Sequence, residues 1–112
     1  MRFKEKEYVI AFPVLRYGVV VVITNDILKS RDLRNNVIGN KFLGEASALH
    51  CYNPSASGSW IILPSTQDVD LITHESFHCV RRMFEWCGIG MENETWAYHM
   101  GYLVDQIYKL YK

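Results

Sequence analysis

The rhythm of apolar positions changes along the chain, and each rhythm predicts a different element. Tyr8-Val9-Ile10-Ala11-Phe12 is a short apolar block closed by Pro13, which predicts a strand or the approach to one. Arg16 to Thr24 carries Val19-Val20-Val21-Val22-Ile23, a β-branched run without alternation, the pattern of a strand buried on both faces. Thr24-Asn25-Asp26 offers N-cap side chains for a short helix from Ile27 to about Asn35, and Asn36 to Gly44, with its two glycines, reads as a loop. Ala46 to Tyr52 and Trp60 to Leu63 are short strand candidates. The turn-rich link Asn53-Pro54-Ser55-Ala56-Ser57-Gly58-Ser59 predicts that they pair as an antiparallel hairpin.

Beyond Pro64 the period lengthens to that of helices. A long helix is predicted from about Gln67 to Trp86, with Pro64-Ser65-Thr66 ending the strand and supplying caps. Gly88 is its expected C′ residue, with Ile89 folding back onto the helix. Ile72, Ser76, Phe77, Cys79, Val80, Met83, Phe84 and Cys87 share the core-facing sector, whereas Leu71, His74, His78, Arg81 and Glu85 share another. A second long helix is predicted from about Asn93 to Tyr111, and Gly88-Ile89-Gly90 would fold it back on the first. Its broad apolar face holds Trp96, Met100, Leu103, Val104, Ile107 and Tyr111; Glu94, Tyr98, Gly101 and Asp105 form a separate stripe. A glycine inside a helix costs about 1 kcal/mol against alanine, so Gly101 predicts a close approach of the two helices there. The expected fold is α+β, a single domain over residues 1–112: a small, mainly antiparallel sheet packed on the two long helices.

Composition narrows the function classes. Lysine plus arginine equals aspartate plus glutamate at 12 each, which gives no reason to expect nucleic acid or an acidic membrane surface as a partner. Apolar residues make up 49% of the 112-residue chain, enough for one modest core. The charged start, Met1-Arg2-Phe3-Lys4-Glu5-Lys6-Glu7, is unlike a signal peptide, and Val19 to Ile23 is far too short to span a bilayer. Cys51, Cys79 and Cys87 are odd in number and lack the spacing of a disulfide framework. The expectation is a cytoplasmic protein with reduced cysteines.

Candidate chemistry sits on the first long helix. His74-Glu75-Ser76-Phe77-His78 is an HExxH sequence, and residues four apart on a helix are offset by only about 40°. Both imidazoles therefore project from one face, one turn apart, as two ligands of one zinc ion require; Glu75 projects from the flank, where a carboxylate can serve as general base. The alternative is a pair of partly buried, hydrogen-bonded histidines with no metal. A third ligand shortly after a glycine turn, as in HExxHxxGxxH, is absent: Arg81 and Phe84 hold those positions. Glu94, at the start of the second helix, can complete a His-His-Glu site, with Glu92 as the rival carboxylate.

These residues resemble the zincin metallopeptidases, and within them the gluzincins: His74-Glu75-x-x-His78 lies on one helix and Asn93-Glu94 opens the next. The chain also looks like small phage- or prophage-encoded zincin-like proteins. The shared features are a strand ending Ile62-Leu63-Pro64, a Thr73-His74-Glu75 start, a Gly88-Ile89 turn and Glu94-Thr95-Trp96-Ala97-Tyr98. The likeness covers roughly Trp60 to Tyr108. It implies zinc held by His74, His78 and Glu94, no organic cofactor, and Glu75 as general base for water attacking a peptide carbonyl. It further implies that the Trp60–Leu63 strand is the edge on which an extended peptide lies. Tyr98 stands where gluzincins often carry an aspartate that orients a zinc-bound histidine. For the group that stabilises the oxyanion, Tyr98, Tyr102, His99 and His50 are the candidates. The function implied is a zinc-dependent peptidase (a hydrolase) of narrow specificity for a peptide or protein substrate. The alternative is a degenerate zincin kept as a metal-stabilised binding module, such as a phage protein engaging a host factor.

Overall fold

A computed structural model describes residues 2–34 and 47–112, so the expectations for Asn35, for the loop from Asn36 to Gly44 and for Ala46 lie outside the described residues. The described elements run β1 (Glu5–Phe12), β2 (Tyr17–Thr24), α1 (Ile27–Asp32), β3 (Leu49–Tyr52), β4 (Gly58–Pro64), α2 (Val69–Cys87) and α3 (Asn93–Lys109). The fold is α+β, with a mostly antiparallel four-stranded sheet in the order β1-β2-β4-β3 and a long C-terminal helix. β1 pairs antiparallel with β2, and β3 with β4, the hairpin expected from the turn-rich link. β2 and β4 run parallel at the centre, from Gly18↔Gly58 to Thr24↔Pro64.

The unalternating valine run has its explanation in this placement. Val19 and Val21 point into a core shared with Ile61, Leu63, α2 and α3, whereas Val22 joins Ile62, Leu49 and Cys51 in a second cluster against which Ile27 of α1 packs. Helices thus cover both faces of β2, and each position from Val19 to Ile23 packs in one of the two clusters. The same logic corrects one expectation. Trp60-Ile61-Ile62-Leu63 is not an edge strand but an interior one, because it too feeds both clusters; the edge beside α2 is β3.

Both long helices begin and end near their expected bounds, for identifiable reasons. The cap of α2 is Asp68, not Ser65 or Thr66: its carboxylate accepts from the Leu71 amide at 3.1 Å. At the other end Gly88 takes φ +69°, a left-handed conformation, and the Ile89 amide donates to Phe84 O at 3.0 Å. That pairing is a Schellman closure, and Ile89 packs on the core as expected. Leu103 and Ile107 of α3 are fully buried, with Trp96, Met100, Val104 and Tyr111 packed around them.

Gly101 departs from expectation. It is exposed, and an added Cβ would meet no atom within 4 Å, so no close helix approach requires it. Gly101→Ala should therefore stabilise the chain by about 0.5–1 kcal/mol, through helix propensity alone. Urea denaturation checks this, and a loss of stability would show that the position carries a contact the fold does not display.

On the other side of the sheet, Arg34 joins α1 to β1. Its guanidinium donates to Glu5 at 2.9 and 3.0 Å, to Ser30 O at 2.6 Å, and to Glu7. The Arg34 hydrogen bond holds the Glu5 carboxyl below its ordinary value, partly opposed by burial and reinforced by Ser30. A carboxylate depressed in the folded state contributes stability above its unfolded pKa and loses it as pH falls through the folded value. Glu5→Gln should cost about 1–2 kcal/mol near neutral pH, and the difference from wild type should shrink below about pH 4.5. Denaturation curves across that range test the sign; a constant difference would mean that the ion pair is not its source.

Candidate metal centre

α2 presents His74 and His78 on its exposed face, one turn apart. Their Nε2 atoms lie 3.2 Å from each other. A tetrahedral ion with metal–nitrogen bonds of about 2.0–2.1 Å sets two ligand nitrogens about 3.3–3.4 Å apart, so this pair fits one edge of a zinc tetrahedron. Without metal, the same separation is a hydrogen bond between one protonated and one bare nitrogen. Burial foremost, then His74 and Arg81, holds the His78 imidazole below its ordinary value, which keeps a lone pair available near neutral pH.

Glu75 takes the buried flank, at 6% exposure, facing β3. Burial raises its carboxyl above the usual range, opposed by His74 and by a hydrogen bond from the His50 main-chain amide. The helix can bury a carboxylate there because α2 contacts β3, an edge strand that leaves main-chain donors unused by the ladder.

β3 also brings His50 to the site. Its ring lies nearly parallel to that of His78, at 13° and 6.4 Å between centroids. The two line a groove of about 220 Å³ with Tyr52, Arg81, Arg82 and Glu85. Arg82 is held over the Tyr52 ring at 4.2 Å and over Trp86 at 5.3 Å, and it donates to Pro54 O at 3.3 Å. His50 is half-buried, and burial, then His78 and Arg82, pushes its imidazole down to about 3; it is neutral under ordinary conditions.

The remaining candidates lie elsewhere. Glu94 is exposed at the start of α3, and its carboxylate makes no hydrogen bond or ion pair among the described residues. Among those residues no three His, Cys, Asp or Glu side chains converge as a metal-binding group, so the structure does not bring Glu94 to the histidine pair. Glu92 is otherwise engaged. It caps α3, accepting from the Glu94 and Thr95 amides at 3.0 and 2.9 Å and from the Thr95 hydroxyl at 2.8 Å. Of the two carboxylates, only that of Glu94 is uncommitted. Tyr98, at 80% exposure, lines a different cleft of about 330 Å³ with Phe12, Pro13, Val14, His99 and Tyr102. His99 is tied there through Nδ1 to Thr95 O at 2.7 Å and stacks on Phe12. Of the four oxyanion candidates, His50 is the one brought beside His78.

Sequence reasoning missed the groups that support His50. Ser59 and Tyr17 lie 9 and 42 residues from their hydrogen-bond partners and meet only through strand register. One signal is present: a tyrosine and a serine in strands rich in buried aliphatic residues must satisfy their hydroxyls internally. Phe77 also differs from expectation, being 39% exposed and packed edge-on against Trp96 and His78 rather than buried.

Comparison of the chain with protein-family models, with curated proteins and with solved structures finds no match to any of them. Among the described residues no helix is long and apolar enough to cross a membrane. All three cysteines are unpaired, and Cys51 and Cys79 are buried.

Proposed function

We propose that the chain is a zinc-dependent peptidase in which His74 and His78 hold the ion and Glu75 is the general base; Glu94, which the structure leaves apart from the pair, is the carboxylate that joins them when zinc binds. One observation carries this reading: two imidazole nitrogens 3.2 Å apart on an exposed helix face, with a glutamate of raised basicity on its flank. Zinc, when bound, supplies Lewis acidity toward a carbonyl oxygen and makes a water acidic near neutral pH. The chain's own residues do the rest. Glu75 takes a proton from the attacking water and returns it to the departing amine, and burial brings its basicity closer to that task. β3, the edge strand beside α2, offers main-chain groups to which an extended peptide adds as a further strand. The unpaired cysteines favour a reducing, cytoplasmic setting.

A second reading has its own support: Glu94 stands apart from the histidines, which suits a metal-stabilised module that binds a partner protein, such as a host factor, without cleaving it. A mixed peptide library incubated with the zinc-loaded chain separates the two. New termini detected by mass spectrometry, and lost on chelation, support the peptidase; uncut peptides with zinc retained support the binding module.

A further inference from the structure

Arg82 is a half-buried cation with no carboxylate partner among the described residues, and neither zinc binding nor proton transfer by Glu75 uses it. Its guanidinium lies over the Tyr52 ring at 4.2 Å and over the Trp86 ring at 5.3 Å. Contact through its faces spends no hydrogen, because the donors lie in the guanidinium plane. Nη2 donates to Pro54 O at 3.3 Å, and the Tyr17 hydroxyl is a further neutral neighbour. The hydrogens of the terminal nitrogens outnumber the oxygens they reach. Glu85, the carboxylate that lines the same groove, pairs instead with Arg81 at 3.5 Å. That pair cancels its own charge and leaves Arg82 uncompensated. A cation partly withdrawn from water without a counter-ion is costly to hold, and an anion entering the groove removes that cost.

Two rungs cross the groove between α2 and β3. His78 and Arg82 stand one turn apart on α2, about 6 Å along its axis. His50 and Tyr52 are alternate residues of β3, hence on one face and about 6–7 Å apart. Because the spacings match, His78 stacks beside His50 at 6.4 Å between centroids while Arg82 lies over Tyr52. The metal ligand stands on the first rung and the cation on the second. A group of an extended peptide that reaches the second rung belongs to a residue within about two positions of the bond at the first.

We infer that Arg82 determines specificity by receiving a carboxylate of the substrate, either an Asp or Glu side chain or a free C-terminus, close to the bond being cleaved. The assignment rests on the peptidase reading above and names its substrate class. A planar guanidinium fork matches a carboxylate with two parallel hydrogen bonds, which a lysine ammonium cannot do. The same charge turns away substrates that place a lysine or arginine there. No bond is made or broken at Arg82; it acts by binding.

NMR of the metal-free full chain, in which no ion competes for the carboxylate, reads binding at the Arg82 side chain and the Trp86 indole. N-acetylglutamate α-amide carries only a side-chain carboxylate, and N-acetylglycine only a terminal one. At least one of them should shift these signals, and the stronger identifies the source; N-acetylglutamine amide should not shift them. No response to either carboxylate, or an equal response to the glutamine amide, would overturn the inference. In the zinc-loaded chain, converting the carboxylate of a cleaved peptide to its amide should lower kcat/KM roughly 10–100-fold. Arg82→Gln should abolish that preference with zinc content and cleavage of the neutral peptide little changed, and Arg82→Glu should turn it toward lysine peptides. If Arg82 merely ties Pro54 to α2, the variants should slow all peptides alike, which would overturn the inference. Equal wild-type cleavage of acidic and neutral peptides would also overturn it and leave the peptidase reading intact. A chain that binds the carboxylates and cleaves nothing would instead remove the peptidase reading and keep Arg82 as the carboxylate site of a binding module.

Discussion

His78→Ala is expected to lower zinc affinity roughly 10³-fold, with little change in fold. Structural zinc sites gain about 10–16 kcal/mol in total, so loss of one ligand of three removes a large share of it. The side chain is exposed on α2, where alanine is the better helix former, so stability of the metal-free chain should hold. His74→Ala should behave alike. Zinc titrations of the two metal-free variants make the measurement, and Glu94→Ala and Glu92→Ala extend it. The uncommitted Glu94 carboxylate is expected to matter and the capping Glu92 is not. Equal affinity in His78→Ala and wild type would mean that the 3.2 Å pair is only a hydrogen bond.

Glu75→Gln is the second large effect: hydrolysis should fall about 10²–10⁴-fold while zinc stays bound. Glutamine keeps the shape and still accepts from the His50 amide, but it cannot take a proton. Removing a buried charge also ends its desolvation cost, so the variant should be at least as stable as wild type. Single-turnover cleavage of the best library substrate, read with zinc content, tests both parts. Wild-type rates in Glu75→Gln would remove the glutamate from the chemistry and favour the binding module.

Much of the fold was legible because its local signals agree. The valine run demanded cover on two faces, and α1 on one side with α2 and α3 on the other supplies it. Asp26, Gly88 and the turn from Asn53 set element ends through local chemistry, and such ends read well from sequence. The sheet edge differs from expectation, although its signal is local. Trp60-Ile61-Ile62-Leu63 lacks alternation, as an interior strand does, whereas in Leu49-His50-Cys51-Tyr52 buried and half-buried positions alternate. Gly101 misled because propensity says what a glycine costs, not which way it faces.

At the candidate site, HExxH fixed the histidine pair through helical geometry alone, and α2 sets those side chains as expected. The partners of His50 depend on the parallel register of β2 with β4 and the antiparallel register of β3 with β4. Such pairings between distant segments are set by the whole sheet and leave no local trace. The expectation for Glu94 follows from its place at a helix start, and helix order does not determine how closely two helix ends approach.

Zinc stoichiometry is the most direct test of the central claim. The purified chain, stripped with a chelator, reloaded with zinc and dialysed, should retain about one zinc per chain by elemental analysis. Retention of none would contradict the metal centre and leave His74 and His78 as a hydrogen-bonded pair on a helix surface.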